Sequence, residues 1–188
     1  MGNGNPMNSL NIIGFTKDLR TGTDILYAQI NIDDYLELVG QDFDKFEIQR
    51  KREKHKGYER LKNDIQKGTL IPTITLAVEP SIVDSFINDL NEKNAKAIAD
   101  TLKKANIYIL DGLQRTYIMN DLKTNGVSFN QNPNLLLEIW FESNIKHLIY
   151  RLIVLNSGQK PMSMRHQIEL LFITMRVTLI NEIDGLVV

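Results

Sequence analysis

Ile107-Tyr108-Ile109-Leu110-Asp111-Gly112-Leu113-Gln114-Arg115-Thr116-Tyr117-Ile118-Met119 is the stretch whose reading decides the fold. Its first four residues, Ile107 to Leu110, read as a strand buried on both faces. Asp111-Gly112 interrupts the apolar run, and a helical pattern begins at once. A strand, a one-glycine turn and a helix N-terminus gather polar side chains beside free backbone N–H groups. That combination favours an anion.

Two readings of the turn stand side by side. Asp111 as N-cap, with Gln114 three residues later closing a capping box, accounts for both residues without any function. It leaves Arg115 unexplained, because a cation in the first helical turn adds to the positive end of the macrodipole and costs about a few tenths of a kcal/mol. Arg115 is better placed opposite a phosphate or a carboxylate, and Asp111 is one such partner inside the chain. In the phosphate reading Gly112 lets the backbone approach closely, and the N–H groups near Leu113 and Gln114 point at the anion. Arg115 supplies a fork matched to phosphate oxygens. Asp111 binds Mg²⁺ or orients a water, and Gln114 donates to a phosphate or positions a nucleophile. The catalytic candidates are therefore Asp111, Gln114 and Arg115, with Asp111 as the candidate metal ligand.

A second polar loop follows later. Asn156-Ser157-Gly158-Gln159-Lys160-Pro161 ends one helical pattern and precedes another. Asn156, Gln159 and Lys160 are candidate phosphate ligands, and the bland alternative is a helix–helix connection with a solvated lysine. Arg165, near the start of the next helical pattern, repeats the oddity of Arg115.

Charge is the other organising feature. The chain of 188 residues carries a net charge of −1, which gives no global argument for nucleic acid. Its distribution is uneven. Lys45 to Lys67 holds nine Lys/Arg against four acids, about +5, leaving about −6 for the remainder. A solvated helix surface with i,i+4 pairs explains this run, and so does contact with a phosphate backbone through Arg50, Lys51, Arg52 and Lys54.

Leu110-Asp111-Gly112-Leu113-Gln114-Arg115-Thr116 resembles the DGQQR/DGQHR signature of the ParB/sulfiredoxin-like superfamily. The signature occurs in DndB-like proteins of DNA phosphorothioation systems. It also occurs in NTP-using subunits of modification-dependent restriction and phage-defence systems. Gln49-Arg50, Tyr58, Leu61 and Gly68-Thr69-Leu70-Ile71-Pro72 are similar to the run before that signature, and Asn156 to Met162 to the loop after it. Leu113 departs from the pattern, standing where the family usually has Gln. The resemblance implies a ParB-like domain that binds a nucleotide or DNA phosphate at Asp111–Arg115. NTP with Mg²⁺ would be the cofactor, with NTPase or nuclease-associated activity, inside a bacterial DNA-modification or phage-defence system. DNA, nucleotide and other defence-system subunits are the partners it implies. The alternative within the same resemblance is a non-catalytic DNA-binding transcriptional regulator of the DndB-like kind. It would contact DNA through the basic run, with Asp111–Arg115 a structural hub. A third reading pairs Arg115 with an internal carboxylate in a purely structural module.

The rest of the chain reads as an α/β (α+β) protein, a small mixed sheet of about four strands with flanking helices and a helical C-terminal part. Residues 1–9 form a Gly/Asn/Pro-rich tail and residues 10–188 a single domain. Strands are expected at Leu10–Phe15, Ile25–Ile32, Leu70–Val78 and Leu135–Glu142, besides the central one. Asp33-Asp34 opens a short helix through Val39, where acids suit the dipole better than they suit a metal. Tyr58, Leu61 and Ile65 share a helix face that Gly68 terminates. Ile82–Leu90 and Lys93–Lys104 read as two helices without chemistry. Ile145, Leu148, Ile149, Leu152 and Ile153 mark an amphipathic helix. A last helix, from near Ser163 to about Glu182, is apolar around most of its circumference and calls for burial by a partner or a further domain. The apolar end at Gly185–Val188 leads to the same expectation.

The absence of cysteine excludes disulfides and thiolate catalysis and suits a cytoplasmic protein. No run is long and apolar enough to span a membrane, so no membrane role is expected. His55, His147 and His166 have no second ligand at zinc spacing, and no Ser-His-Asp arrangement, Walker sequence or GxGxxG occurs.

Overall fold

Alternation along Thr23–Ile30 places Leu26, Ala28 and Ile30 on one side of the chain and Ile25, Tyr27 and Gln29 on the other. In the computed structural model this segment is the second strand of a five-stranded sheet. Residues 10–41, 43, 56–127, 129, 134–157 and 172 are described. The strands are β1 (Asn11–Asp18), β2 (Thr23–Ile30), β3 (Ile74–Val78), β4 (Ile107–Asp111) and β5 (Leu135–Phe141), in the order β1-β2-β5-β3-β4. Only β3 and β5 run parallel among these neighbours; the other pairs are antiparallel. The mixed sheet agrees with the sequence expectation and has five strands rather than about four.

The helices are α1 (Ile32–Val39), α2 (Lys56–Gln66), α3 (Ile87–Glu92), α4 (Ala95–Leu102), α5 (Leu113–Thr124) and α6 (Ile145–Ser157), with a 3-10 turn over Pro80–Phe86. The chain falls into two units, residues 1–143 and 144–188. In the first, one face of the sheet carries the core. Leu26, Ala28, Ile30, Ile74, Leu76, Val78, Ile109, Leu137 and Ile139 meet Tyr35, Ile65, Phe86, Ile98, Ile118 and Leu122 from the helices. The segment between β3 and β4 therefore packs on the sheet, and Phe86 tilts against Phe141 with ring centroids 5.0 Å apart. In the second unit, α6 buries Leu148, Ile149 and Leu152 and exposes Tyr150 and Val154, the pattern its spacing demands. The expected helix from Ser163 to Glu182 lies outside the described residues, Phe172 apart. No helix among the described residues is long and apolar enough to cross a membrane.

Helix ends are specified locally. Asn31 caps α1, its Oδ1 accepting from the Asp34 N–H at 2.8 Å while its Nδ2 donates to Asp34 Oδ2 at 3.1 Å. Asp33 instead pairs with Lys123 of α5 at 2.9 Å, an exposed bridge of small worth. At the end of α2 the Gly68 N–H donates to Ile65 O and the Thr69 N–H to Asp64 O, with Gly68 at φ 79°. The same helix docks on α5 through Tyr58, whose hydroxyl donates to Asp121 Oδ2 at 2.5 Å. One buried carboxylate sits at the far end of the sheet: Glu142, just past β5, accepts a hydrogen bond from the Thr23 hydroxyl.

Several expected boundaries shift: β2 runs Thr23–Ile30 with Ile32 already in α1, and the expected Ile82–Leu90 helix is a 3-10 turn to Phe86 followed by α3. Two of the shifts have a clear local cause. β1 extends to Asp18 because the turn at Leu19–Gly22 closes on Asp18, whose carbonyl accepts from the Gly22 N–H and whose Oδ1 accepts from the Arg20 N–H. β3 starts at Ile74 rather than Leu70, since Pro72 lacks a ladder donor and the carbonyls of Pro72 and Thr73 are engaged elsewhere. Removing the α1 cap by Asn31→Ala is expected to lower stability by about 1 kcal/mol in urea denaturation, with unchanged slope.

Candidate functional site

The strand, turn and helix form where the sequence expects them, but β4 is an edge strand of the described sheet and Tyr108 on its second face is only half-buried, so the strand is not fully buried on both faces. β4 ends at Asp111, which stands opposite Thr75 of β3 after a register shift. Gly112 follows at φ 108° and ψ 3° and begins α5. A Cβ there would lie 3.0 Å from Ile74 Cγ2 and 3.1 Å from Ile74 Cγ1, so conformation and space both require glycine. The capping box does not form. Gly112, not Asp111, is the N-cap, and no side chain caps the helix. Pairing with β3 keeps Asp111 in the strand, and its carboxylate turns toward Arg115.

Arg115 makes three hydrogen bonds within the chain. Nη2 donates to Asp111 Oδ2 at 2.5 Å, and Nη1 donates to the carbonyl of Pro72 at 2.6 Å and of Thr73 at 3.3 Å. The two side chains are 13% and 21% exposed, so the ion pair is shielded but not sealed. Asp111 lies four residues before Arg115 but at the end of β4, so the pair closes across the Gly112 turn rather than along a helix face. Its charge offsets the repulsion between guanidinium and helix N-terminus. The planar fork reaches one carboxylate and two carbonyls at once, which a lysine cannot reproduce. The negative partner that a first-turn arginine calls for is supplied from within.

Behind this pair lies a buried relay. The Tyr35 hydroxyl of α1 is 2.7 Å from Thr116 Oγ1, and that hydroxyl donates to Gly112 O at 3.1 Å. Both side chains are fully buried. Burial holds the Tyr35 phenol well above its ordinary range, opposed by the Thr116 hydrogen bond and the Arg115 charge and reinforced by Asp111. Tyr35 and Thr116 were not singled out by sequence. Thr116 stands one residue past Arg115, but nothing in periodicity pairs it with a tyrosine 81 positions earlier.

Gln114 lies half-buried in the first turn of α5, beside Arg115 in the chain. Asn156 falls in the last turn of α6, in the second unit, and its side chain lies outside the described residues. Gln159, Lys160 and Arg165 lie outside them too, as do Arg50, Lys51, Arg52 and Lys54. Of the basic run, α2 presents Arg60 to solvent and Lys67 follows it, also exposed, while Tyr58 and Ile65 turn inward. Among the described residues no group of three or more His, Asp or Glu is placed to hold a metal ion.

Arg115→Ala is expected to cost about 2–3 kcal/mol in urea denaturation, because it strands Asp111 and two carbonyls; Arg115→Lys should recover only part. A raised Tyr35 value means the folded chain keeps a proton that the unfolded chain loses near pH 10. Stability should therefore be level below that pH and fall above it by about 1.4 kcal/mol per unit. Urea midpoints between about pH 8 and 11 check this, and Tyr35→Phe should flatten the alkaline limb.

No family model, no curated protein and no solved structure matches the chain.

Proposed function

We propose that this chain is a DNA-phosphate-binding module of a bacterial DNA-modification or phage-defence system. It contacts duplex through the Lys45–Lys67 run and uses Asp111–Arg115 as an internal hub rather than a catalytic centre. The observation that carries this reading is the engagement of the Arg115 guanidinium with Asp111, Pro72 and Thr73. An arginine held this way needs no external phosphate, which moves the phosphate contact to the basic run or to the Asn156–Arg165 loop, and the charge of about +5 over Lys45–Lys67 favours the basic run. The outward Arg60 on a helix anchored by Tyr58, and the exposed Lys67 just past its end, fit such a surface. The resemblance of Leu110–Thr116 to DGQQR/DGQHR proteins supplies the biological setting, and with it a cytoplasmic location. Nucleotide binding with Mg²⁺ at Asp111, Gly112, Gln114 and Arg115 is the competing reading from the same resemblance.

Fluorescence anisotropy with a labelled duplex tests the proposal. Affinity should fall steeply between about 50 and 200 mM salt. Combined charge reversal at Arg50, Lys51 and Arg52, or at Arg60 and Lys67, should weaken it at every sequence tried. Absence of duplex binding overturns the proposal. NTP hydrolysis with Mg²⁺ that is lost in Arg115→Lys, at a temperature where that variant remains folded, replaces it with the nucleotide reading.

A further inference from the structure

α5 ends in a glycine-terminated cap that encloses a chemically labile dipeptide, Asn125-Gly126. Asn125 is the C-cap residue, with φ −83° and ψ 13°, and Gly126 follows at φ 78°. The Val127 N–H donates to Leu122 O and the Gly126 N–H to Lys123 O, both at 3.0 Å, the paired bonds of a Schellman motif. Both Asn125 and Gly126 are exposed. A Cβ on Gly126 would meet nothing within 4 Å, so conformation rather than space favours glycine there.

An asparagine followed by glycine is prone to intramolecular deamidation, because the unbranched neighbour leaves its backbone nitrogen open to the side-chain amide. We propose that Asn125 is a deamidation site gated by the last turn of α5. The Gly126 backbone nitrogen attacks Asn125 Cγ, forming an N–Cγ bond. The Cγ–Nδ2 bond breaks, and Nδ2 leaves as ammonia with the proton from Gly126. Water then opens the cyclic imide at either carbonyl, giving aspartate or isoaspartate at position 125.

Two contacts hold this reaction back in the folded chain. The attacking nitrogen is already the donor to Lys123 O. The leaving group, Nδ2, donates to Asp121 O at 2.7 Å and draws the carboxamide along the helix, away from Gly126. Both bonds must open before Cγ and the nitrogen can meet, so the rate follows fraying of one helical turn. The product is unfavourable where it forms. A carboxylate at position 125 lies at the negative end of the α5 dipole, four residues from Asp121, and cannot donate to the Asp121 carbonyl. Since Asp121 also receives the Tyr58 hydroxyl, the change acts on the seam between α2 and α5.

The test is incubation of the full chain at mildly alkaline pH, native and in denaturant, followed by peptide mapping for the one-dalton gain and for isoaspartate. Mapping separates this peptide from Asn3-Gly4, the other Asn-Gly pair of the sequence. Conversion at Asn125 in denaturant, slowed about tenfold or more in the native chain, is expected from two hydrogen bonds at a helix end. Asn125→Asp should lower the melting temperature while Asn125→Gln leaves it closer to wild type. Equal rates in both states overturn the gating, and no conversion at Asn125 in either overturns the site.

Discussion

A single guanidinium ties three parts of the first unit together. Arg115 joins the end of β4, the first turn of α5 and the residues that lead into β3. Each of those segments has a problem that the arginine resolves. Asp111 ends a strand with a charge in a half-buried position. Pro72 and Thr73 present carbonyls before the ladder begins, and the first turn of α5 supplies the donor that reaches them all. Placing one cation among these acceptors satisfies them together, at the cost of a charge beside a helix N-terminus. The arrangement persists because the Coulomb attraction to Asp111 at 2.5 Å outweighs a dipole effect of a few tenths of a kcal/mol.

The surroundings keep that arrangement rigid. Gly112 has no room for a side chain against Ile74, so the turn cannot be relaxed by substitution. Thr116 and Tyr35 fix the next turn of α5 against α1 by a hydrogen bond in a fully buried place, where an unmade bond is expensive. Tyr58 and Asp121 repeat the device on α2, again with a phenol reaching a side chain on α5. α5 thus acts as the common anchor for α1, α2 and the turn, although its own sequence is only weakly amphipathic.

Much of the described fold is legible in the sequence. Alternation along β2 and β5, the apolar run of β4 and the spacings of α2 and α6 all report burial, and burial has a period that the chain must obey. The reading of β3 overshot at its start because an apolar run says nothing about whether its carbonyls are free for a ladder. In the site, the strand, the glycine and the helix were legible, and the i,i+4 relation of Asp111 to Arg115 was open to view as one of several partners. The capping box failed because a sequence spacing cannot tell a strand-end aspartate from an N-cap. The Pro72 and Thr73 carbonyls, Tyr35 and Tyr58 were hidden for a different reason. They meet α5 across 42 to 81 positions, and pairing at such distances is decided by topology.

The position of β5 has a kinetic consequence. Among the described strands it is the last to leave the ribosome, yet it lies between β2 and β3 and is the piece that joins the β1-β2 hairpin to the β3-β4 pair. Until it emerges, both halves carry an open edge, and neither can finish its layer of the sheet. Parallel closure onto β3 is also a slow, long-range step. A nascent chain halted before Leu135 would hold two unfinished half-sheets, each a ready template for a stranger's strand, which makes the interval before β5 arrives the period when this protein most needs a chaperone.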